Sequence, residues 1–172
     1  IFVPPTPAPL PEGKLAIDEA SLSPKSDLEL RAGDWWTARM KATRRRRARL
    51  RVGKGPWREM REVNASLGIY EAVMQIAAGT EFGPETVEYE VGSGWGALRV
   101  KGAARVSASL QAPAVATVKT NAAGFANVKI GPSNGFLIFP QPGTRFLATG
   151  REGGFVRVAL GSSLSGWIDA RD

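Results

Sequence analysis

The chain has 172 residues, 43% of them hydrophobic, and a formal net charge of +7. It contains no histidine and no cysteine, which excludes a Ser-His-Asp triad, zinc held by histidine or cysteine, thiol nucleophiles and disulfides. The length suits one large domain or two small ones, and the 20 glycines and 12 prolines spread along it suit many short strands better than long helices.

The opening stretch, IFVPPTPAPLPEG, carries five prolines between positions 4 and 11. Proline restricts φ and removes donors, so residues 1–26 are expected to form an extended arm that acts as a tether. There is no initiator methionine and no charged-then-apolar leader, so Ile1 is expected to follow a cleaved signal or an artificial boundary. No apolar run is long enough to cross a bilayer as a helix.

From Leu28 the pattern has period two. WWTARMKA places Trp36, Ala38, Met40 and Ala42 on one face and Trp35, Thr37, Arg39 and Lys41 on the other. RARLRV continues with Ala48, Leu50 and Val52 opposite Arg47, Arg49 and Arg51. These read as two half-buried strands joined by an arginine-rich turn. GIYEAVMQIA sets Tyr70, Ala72, Met74 and Ile76 on one side, and ETVEYEV sets Val87, Tyr89 and Val91 against Glu88 and Glu90. SGWGALRV and ARVSASL follow the glycine turn at 92–94. The one tempting helix, residues 60–64, is too short to predict. Short strands at regular spacing predict an all-β sandwich over residues 27–110.

QAPAVATVKTNA is small, apolar and without a sustained period, and residues 111–119 are read as a linker. Residues 120–172 are too few for a second sandwich but enough for a compact barrel. FANVKIGPSNGF, PGTRFLATG, GGFVRVAL and SGWIDA are each a short strand with a glycine turn. Gly131-Pro132 reads as a turn. A phosphate cradle would need more glycines feeding a helix N-terminus, and no helical pattern follows.

Four short motifs in order, Asn127 to Pro132, Pro142-Gly143-Thr144, Gly154 to Val158 and Gly166-Trp167-Ile168, resemble those of bacterial SH3-like domains. Lys129 stands where arginine is common and Phe155 where tryptophan is common. Within the sandwich, Gly68, Tyr70, Met74, Ile76 and Gly79-Thr80-Glu81 resemble the β-sandwich module that precedes the catalytic domain in some secreted bacterial cell-wall amidases. The two resemblances together imply an all-β chain: an Ig-like β-sandwich, then a small SH3-like β-barrel, from the non-catalytic region of an N-acetylmuramoyl-L-alanine amidase. The zinc-dependent catalytic domain of such an enzyme uses histidines, so it would lie outside this chain. For this segment no enzymatic activity, metal or cofactor is expected. The resemblance implies peptidoglycan binding in a secreted, periplasmic or cell-envelope setting, with Phe136, Phe139, Phe155 and Trp167 as candidate ligand-binding residues and Trp167 as barrel core or groove floor.

Charge adds a second candidate surface. Residues 31–61 hold twelve basic and two acidic side chains, a local net of +10, whereas residues 62–102 hold two basic and six acidic, a net of −4. This asymmetry predicts contact with an anionic partner. Arg44, Arg45, Arg46, Arg47, Arg49 and Arg51, with Trp35, which shares a strand face with Arg39 and Lys41, are the candidates for binding an anionic envelope polymer, because guanidinium forks meet oxyanions in bidentate fashion. A solvated turn is the other reading of the run. Trp57 and Trp95 are further aromatics able to stack on sugars or bases. Glu81, Glu85, Glu88 and Glu90 lack the dense spacing of a calcium loop and read as a solvated strand face. The alternative function is a nucleic-acid-binding protein with an SH3-like barrel and an arginine hairpin. It is the weaker reading, because few aromatics interleave with the basic stretch.

Overall fold

The computed structural model describes residues 8–112, 114–119, 126–132, 134–161 and 164–172. The proline arm before Ala8 and the first residues of the expected SH3-like segment, 120–125, lie outside that set. The fold is all-β, as the alternation predicts, with a single 3-10 turn at Gly94–Gly96 among the described residues. It divides into two compact units that are not continuous in sequence. The first takes Trp35–Gln75, Pro84–Val106 and the described part of Ile1–Ser26. The second takes Asp27–Asp34, Ile76–Gly83 and the described part of Ser107–Asp172.

In the first unit, β1 (Ile17–Ser23), β3 (Trp35–Ala42), β7 (Ile69–Gln75) and β6 (Arg61–Asn64) form one sheet in the order β1-β3-β7-β6, where β2 (Leu28–Arg31) belongs to the second unit. The register places Trp36 opposite Met74, Ala38 opposite Ala72 and Met40 opposite Tyr70, and all six are buried. The other sheet of this unit carries β4 (Ala48–Val52), β5 (Arg58–Glu59), β8 (Phe82–Val91) and the start of β9 (Leu98–Ser109), in the order β9-β8-β4-β5. Here Ala48 pairs with Val91 and Leu50 with Tyr89, all buried. Each sheet thus has one apolar face, and period-two chemistry decides which. The chain passes from one sheet to the other at buried Met60, between β5 and β6. The Tyr89 hydroxyl donates to the Ser23 carbonyl at the end of β1, 2.6 Å away. Residues 60–64, too short to predict as a helix, are strand from Arg61 onward.

In the second unit, β13 (Ser165–Asp169), β12 (Phe155–Ala159), β11 (Arg145–Glu152) and β2 lie in that order, and β10 (Ala114–Thr117) also pairs with β11. The stretch read as a linker therefore carries a strand. No closed barrel occurs among the described residues. The core of this unit is Val118, Ala126, Val128, Val158 and Ile168, with Leu137, Phe146, Val156 and Leu160 packed against it. Alternation along β13 turns Gly166 and Ile168 inward and leaves Trp167 half-buried on the opposite face.

That opposite face is not plain solvent. Arg157 pairs in register with Trp167, and its guanidinium lies 6.0 Å from the indole ring centre and 3.1 Å from the Asp34 carboxylate. Arg157 and Asp34 are both buried. Burial pushes the Asp34 carboxyl above its usual range, against the opposing pull of the Arg31 backbone amide and the Arg157 charge.

One glycine here is required by close approach. A Cβ on Gly150 would lie 2.0 Å from the Glu29 carbonyl oxygen, where β2 pairs with the end of β11. Gly150→Ala is expected to lower stability by about 2 kcal/mol, within the usual range for a strained substitution. An unchanged denaturation midpoint would contradict this contact.

Candidate functional site

The arginine run forms the turn between β3 and β4. Its backbone is held from beneath by Tyr70, whose hydroxyl donates to the Thr43 carbonyl at 3.0 Å and accepts from the Arg46 amide at 3.1 Å. Burial pushes the Tyr70 phenol above its usual range, so it stays protonated as the donor. Arg45 takes a left-handed φ of 53°, and its amide donates to Glu62 at 3.1 Å.

The side chains divide into two groups. The Arg44 guanidinium pairs with Glu12, and Arg47 pairs with Glu59. The bond from Arg47 holds the Glu59 carboxyl below its usual range. On β4, Arg49 lies 2.5 Å from Glu90 and Arg51 2.5 Å from Glu88. These are the directly opposite residues of the β4–β8 ladder. Arg45 and Arg46 are exposed, and their guanidinium groups have no carboxylate partner among the described residues. Of the six arginines predicted to meet an anionic polymer, four are thus engaged within the chain. The segment of net +10 and the segment of net −4 cancel only in part, where Arg39, Arg49 and Arg51 meet Glu71, Glu90 and Glu88 across paired strands.

The acidic face is correspondingly not a plain solvated one. Glu90 is completely buried, bonded to Arg49 and, at 2.6 Å, to Arg99. Burial pushes its carboxyl up, but the bonds from Arg49 and Arg99 outweigh that and hold it below its usual range. Trp57 caps the cluster: the Arg51, Arg49 and Arg99 guanidinium carbons lie 4.7, 4.8 and 5.7 Å from its ring centre. The indole is thus occupied by cations of its own chain. Trp35 is 55% exposed and lies in the other sheet of this unit from Arg49 and Arg51, with Trp36 buried as alternation requires.

Of the ligand candidates of the second unit, Phe155 lies on β12 and Trp167 on the neighbouring β13, while Phe136 and Phe139 lie in the irregular segment before β11. Phe136 and Phe139 are 68% and 61% exposed, and their rings stack at 5.8 Å with a 26° interplanar angle. Ile130 and Ile138 are exposed as well. Residues 128 and 129 join these groups, because Val128 bridges to Ile138 and Lys129 bridges to Trp167. The Lys129 ammonium lies 5.0 Å from the centre of the half-buried Phe155 ring. The four predicted aromatics therefore flank one two-residue segment. Lys129, not singled out as a site residue from sequence, supplies a cation there. Its signal was only its place in the Asn127 to Pro132 motif.

Elsewhere, Trp95 stands fully exposed on the Gly94–Gly96 turn. Among the described residues no group of three or more metal-ligating side chains is found. No described helix is long and apolar enough to cross a membrane. Comparison with known protein families, with characterised proteins and with solved structures finds no match.

Proposed function

We propose that this chain is a non-catalytic binding region that holds a peptidoglycan hydrolase, of the N-acetylmuramoyl-L-alanine amidase kind, on the bacterial wall. The supporting observation is the stacked, exposed Phe136–Phe139 pair. Two large rings left in water lose the burial that ordinarily keeps phenylalanine inside, and such patches mark interaction surfaces. Rings exposed over most of their surface suit an extended polymer better than an enclosed small molecule. Their faces match the apolar faces of pyranose rings. Lys129 at Phe155 adds a cation for the carboxylates that such a wall carries. Arg45 and Arg46 add long-range attraction to anionic envelope polymers.

Co-sedimentation with purified sacculi tests the reading. The full chain is expected to pellet with sacculi and to remain there when duplex or single-stranded DNA is added. Protein left in the supernatant, or stripped from the wall by DNA, would overturn it, the second outcome in favour of nucleic-acid binding.

The arginine turn gives a graded expectation. A basic side chain near an anionic surface is worth on the order of 1 kcal/mol. Arg45→Ser with Arg46→Ser is therefore expected to weaken low-salt retention by roughly thirtyfold, and the difference should fade in high salt as the charges are screened. Arg44→Ser with Arg47→Ser should do less, because those guanidinium groups already pair with Glu12 and Glu59. Equal losses from both pairs would contradict the division of the run.

A further inference from the structure

The first unit carries an exposed indole beside a fixed guanidinium, in a cleft that shares no residue with the Phe136–Phe139 ridge. The link between β8 and β9 holds the indole in water. Residues 94–96 make a single 3-10 turn, with Gly94 at a left-handed φ of 64°. A Cβ on Gly94 or Gly96 would meet no atom within 4 Å, so open space lies on both sides of Trp95 in sequence. Trp95 itself is fully exposed. Strand alternation does not account for this, because Trp95 lies outside both strands. An indole left wholly in water forgoes a large burial gain, and such a ring is fitted for contact with a ligand.

Arg99, the second residue of β9, lines the same cleft of about 460 Å³, together with Gly94, Trp95 and Ala97. Its Nε–H donates to the fully buried Glu90 at 2.6 Å, and its guanidinium carbon lies 5.7 Å from the Trp57 ring centre. Those two contacts hold the guanidinium in place. Its two terminal nitrogens make no hydrogen bond or ion pair with any described residue, and the side chain is 52% exposed. One edge of the fork is thus used inside the chain, and the end-on edge is left for an oxyanion. The carboxylates beneath do not cancel it. Arg49, Arg51 and Arg99 stand against Glu88 and Glu90, three cations to two anions, and the Glu88 and Glu90 side chains are only 15% and 0% exposed. What the cluster presents to water is therefore cationic.

We propose that Trp95 and Arg99 form a binding site for a sugar that carries a carboxylate. The apolar face of a pyranose stacks on the indole, and the carboxylate meets the two terminal nitrogens of Arg99 in bidentate fashion. Gly94 and Ala97 leave the cleft open to the sugar ring. A single fork and one net positive charge match a planar monoanion better than a phosphate dianion.

The test is titration of the full chain with methyl glucuronide, followed by amide and indole N–H chemical shifts. Methyl glucoside, glucose 6-phosphate and uridine monophosphate are separate arms. Saturable shifts centred on residues 94–99 and on the Trp95 indole are expected, with a Kd on the order of 1 mM. The glucoside has a hydroxymethyl group in place of the carboxylate and should bind roughly tenfold more weakly. Trp95→Ala, at an exposed position, should also cost roughly tenfold without moving the denaturation midpoint. Arg99→Lys keeps a cation for Glu90 but loses the fork, and should bring the affinity for the glucuronide down to that for the glucoside. No saturable shift at residues 94–99, equal affinity for glucuronide and glucoside, tighter binding of glucose 6-phosphate or uridine monophosphate, or an unaffected Trp95→Ala or Arg99→Lys would each overturn the proposal. Sacculus retention through Phe136 and Phe139 does not depend on any of these results, so the two readings fail separately.

Discussion

Replacing Arg49 with methionine is expected to destabilise the protein by about 3 kcal/mol, the lower end of the cost of breaking a buried ion pair. Glu90 has no exposed surface, whereas the side chains of Arg49 and Arg99 are 23% and 52% exposed. Removing Arg49 leaves a buried carboxylate with one cation where it had two. Glu90→Leu is expected to cost less, because the two arginines it abandons still reach water. The ranking is the informative part: the loss from the basic side exceeds the loss from the acidic side. In the double variant, Arg49→Met with Glu90→Leu, the cost should fall below that of Arg49→Met alone, as coupling between contacting residues requires. Denaturant midpoints of the three variants check this, and Glu90→Leu proving the costlier single change would contradict it. The pH dependence has a fixed sign. Glu90 has a folded-state pKa below its usual value, so its contribution is complete above the unfolded value and is lost as pH falls through the folded one. The gap between wild type and Arg49→Met should therefore narrow on acidification below the ordinary glutamate range.

Arg157→Met is expected to cost about 3–5 kcal/mol, the cost of leaving a buried charge without its partner. Asp34 would keep the backbone amide of Arg31, at 2.8 Å, but lose the Arg157 guanidinium in an equally buried setting. Trp167 would lose the cation beside its ring. Burial already raises the Asp34 carboxyl, and removing Arg157 should raise it further. For a carboxyl raised on folding, stability is greatest below the unfolded pKa and declines as pH climbs through the folded one. The variant should thus be most nearly wild-type in acid and fall behind as the pH rises toward neutrality. Denaturation midpoints across that range check it. A deficit that is constant with pH would contradict the Asp34 pairing.

The alternation along β3, β4, β7 and β8 was legible because each strand buries one face, and Trp36, Leu50, Tyr70 and Tyr89 fall where period two places them. Strand partners were not legible. ARLRV and VEYEV each looked like a strand with one charged side, yet only the register brings Arg49 to Glu90 and Arg51 to Glu88. Summing charge by segment therefore counted Arg49 and Arg51 toward a basic surface, although the ladder pairs both with carboxylates. The matched period-two spacing of arginine in one strand and glutamate in another was the available signal for that pairing. The burial of Arg157 was not legible for a related reason. Along β12 it occupies the polar face, and burial there depends on Asp34, which is distant in sequence and brought in beside β2. The division of the chain was hidden in the same way, because Asp27–Asp34 and Ile76–Gly83 join the second unit from within the stretch read as one sandwich. Of the candidate site, the aromatics were visible as residue types, but the exposure and stacking of Phe136 and Phe139 follow no period that the sequence shows.

The most direct measurement of the wall-binding account is retention on purified sacculi of the Phe136→Ala, Phe139→Ala double variant, at low and at high salt. Both rings are exposed, so the denaturation midpoint should hold. The account predicts a loss of retention of roughly tenfold or more at both salt concentrations, since the contact is apolar and unscreened. Retention equal to that of the unaltered chain would contradict it.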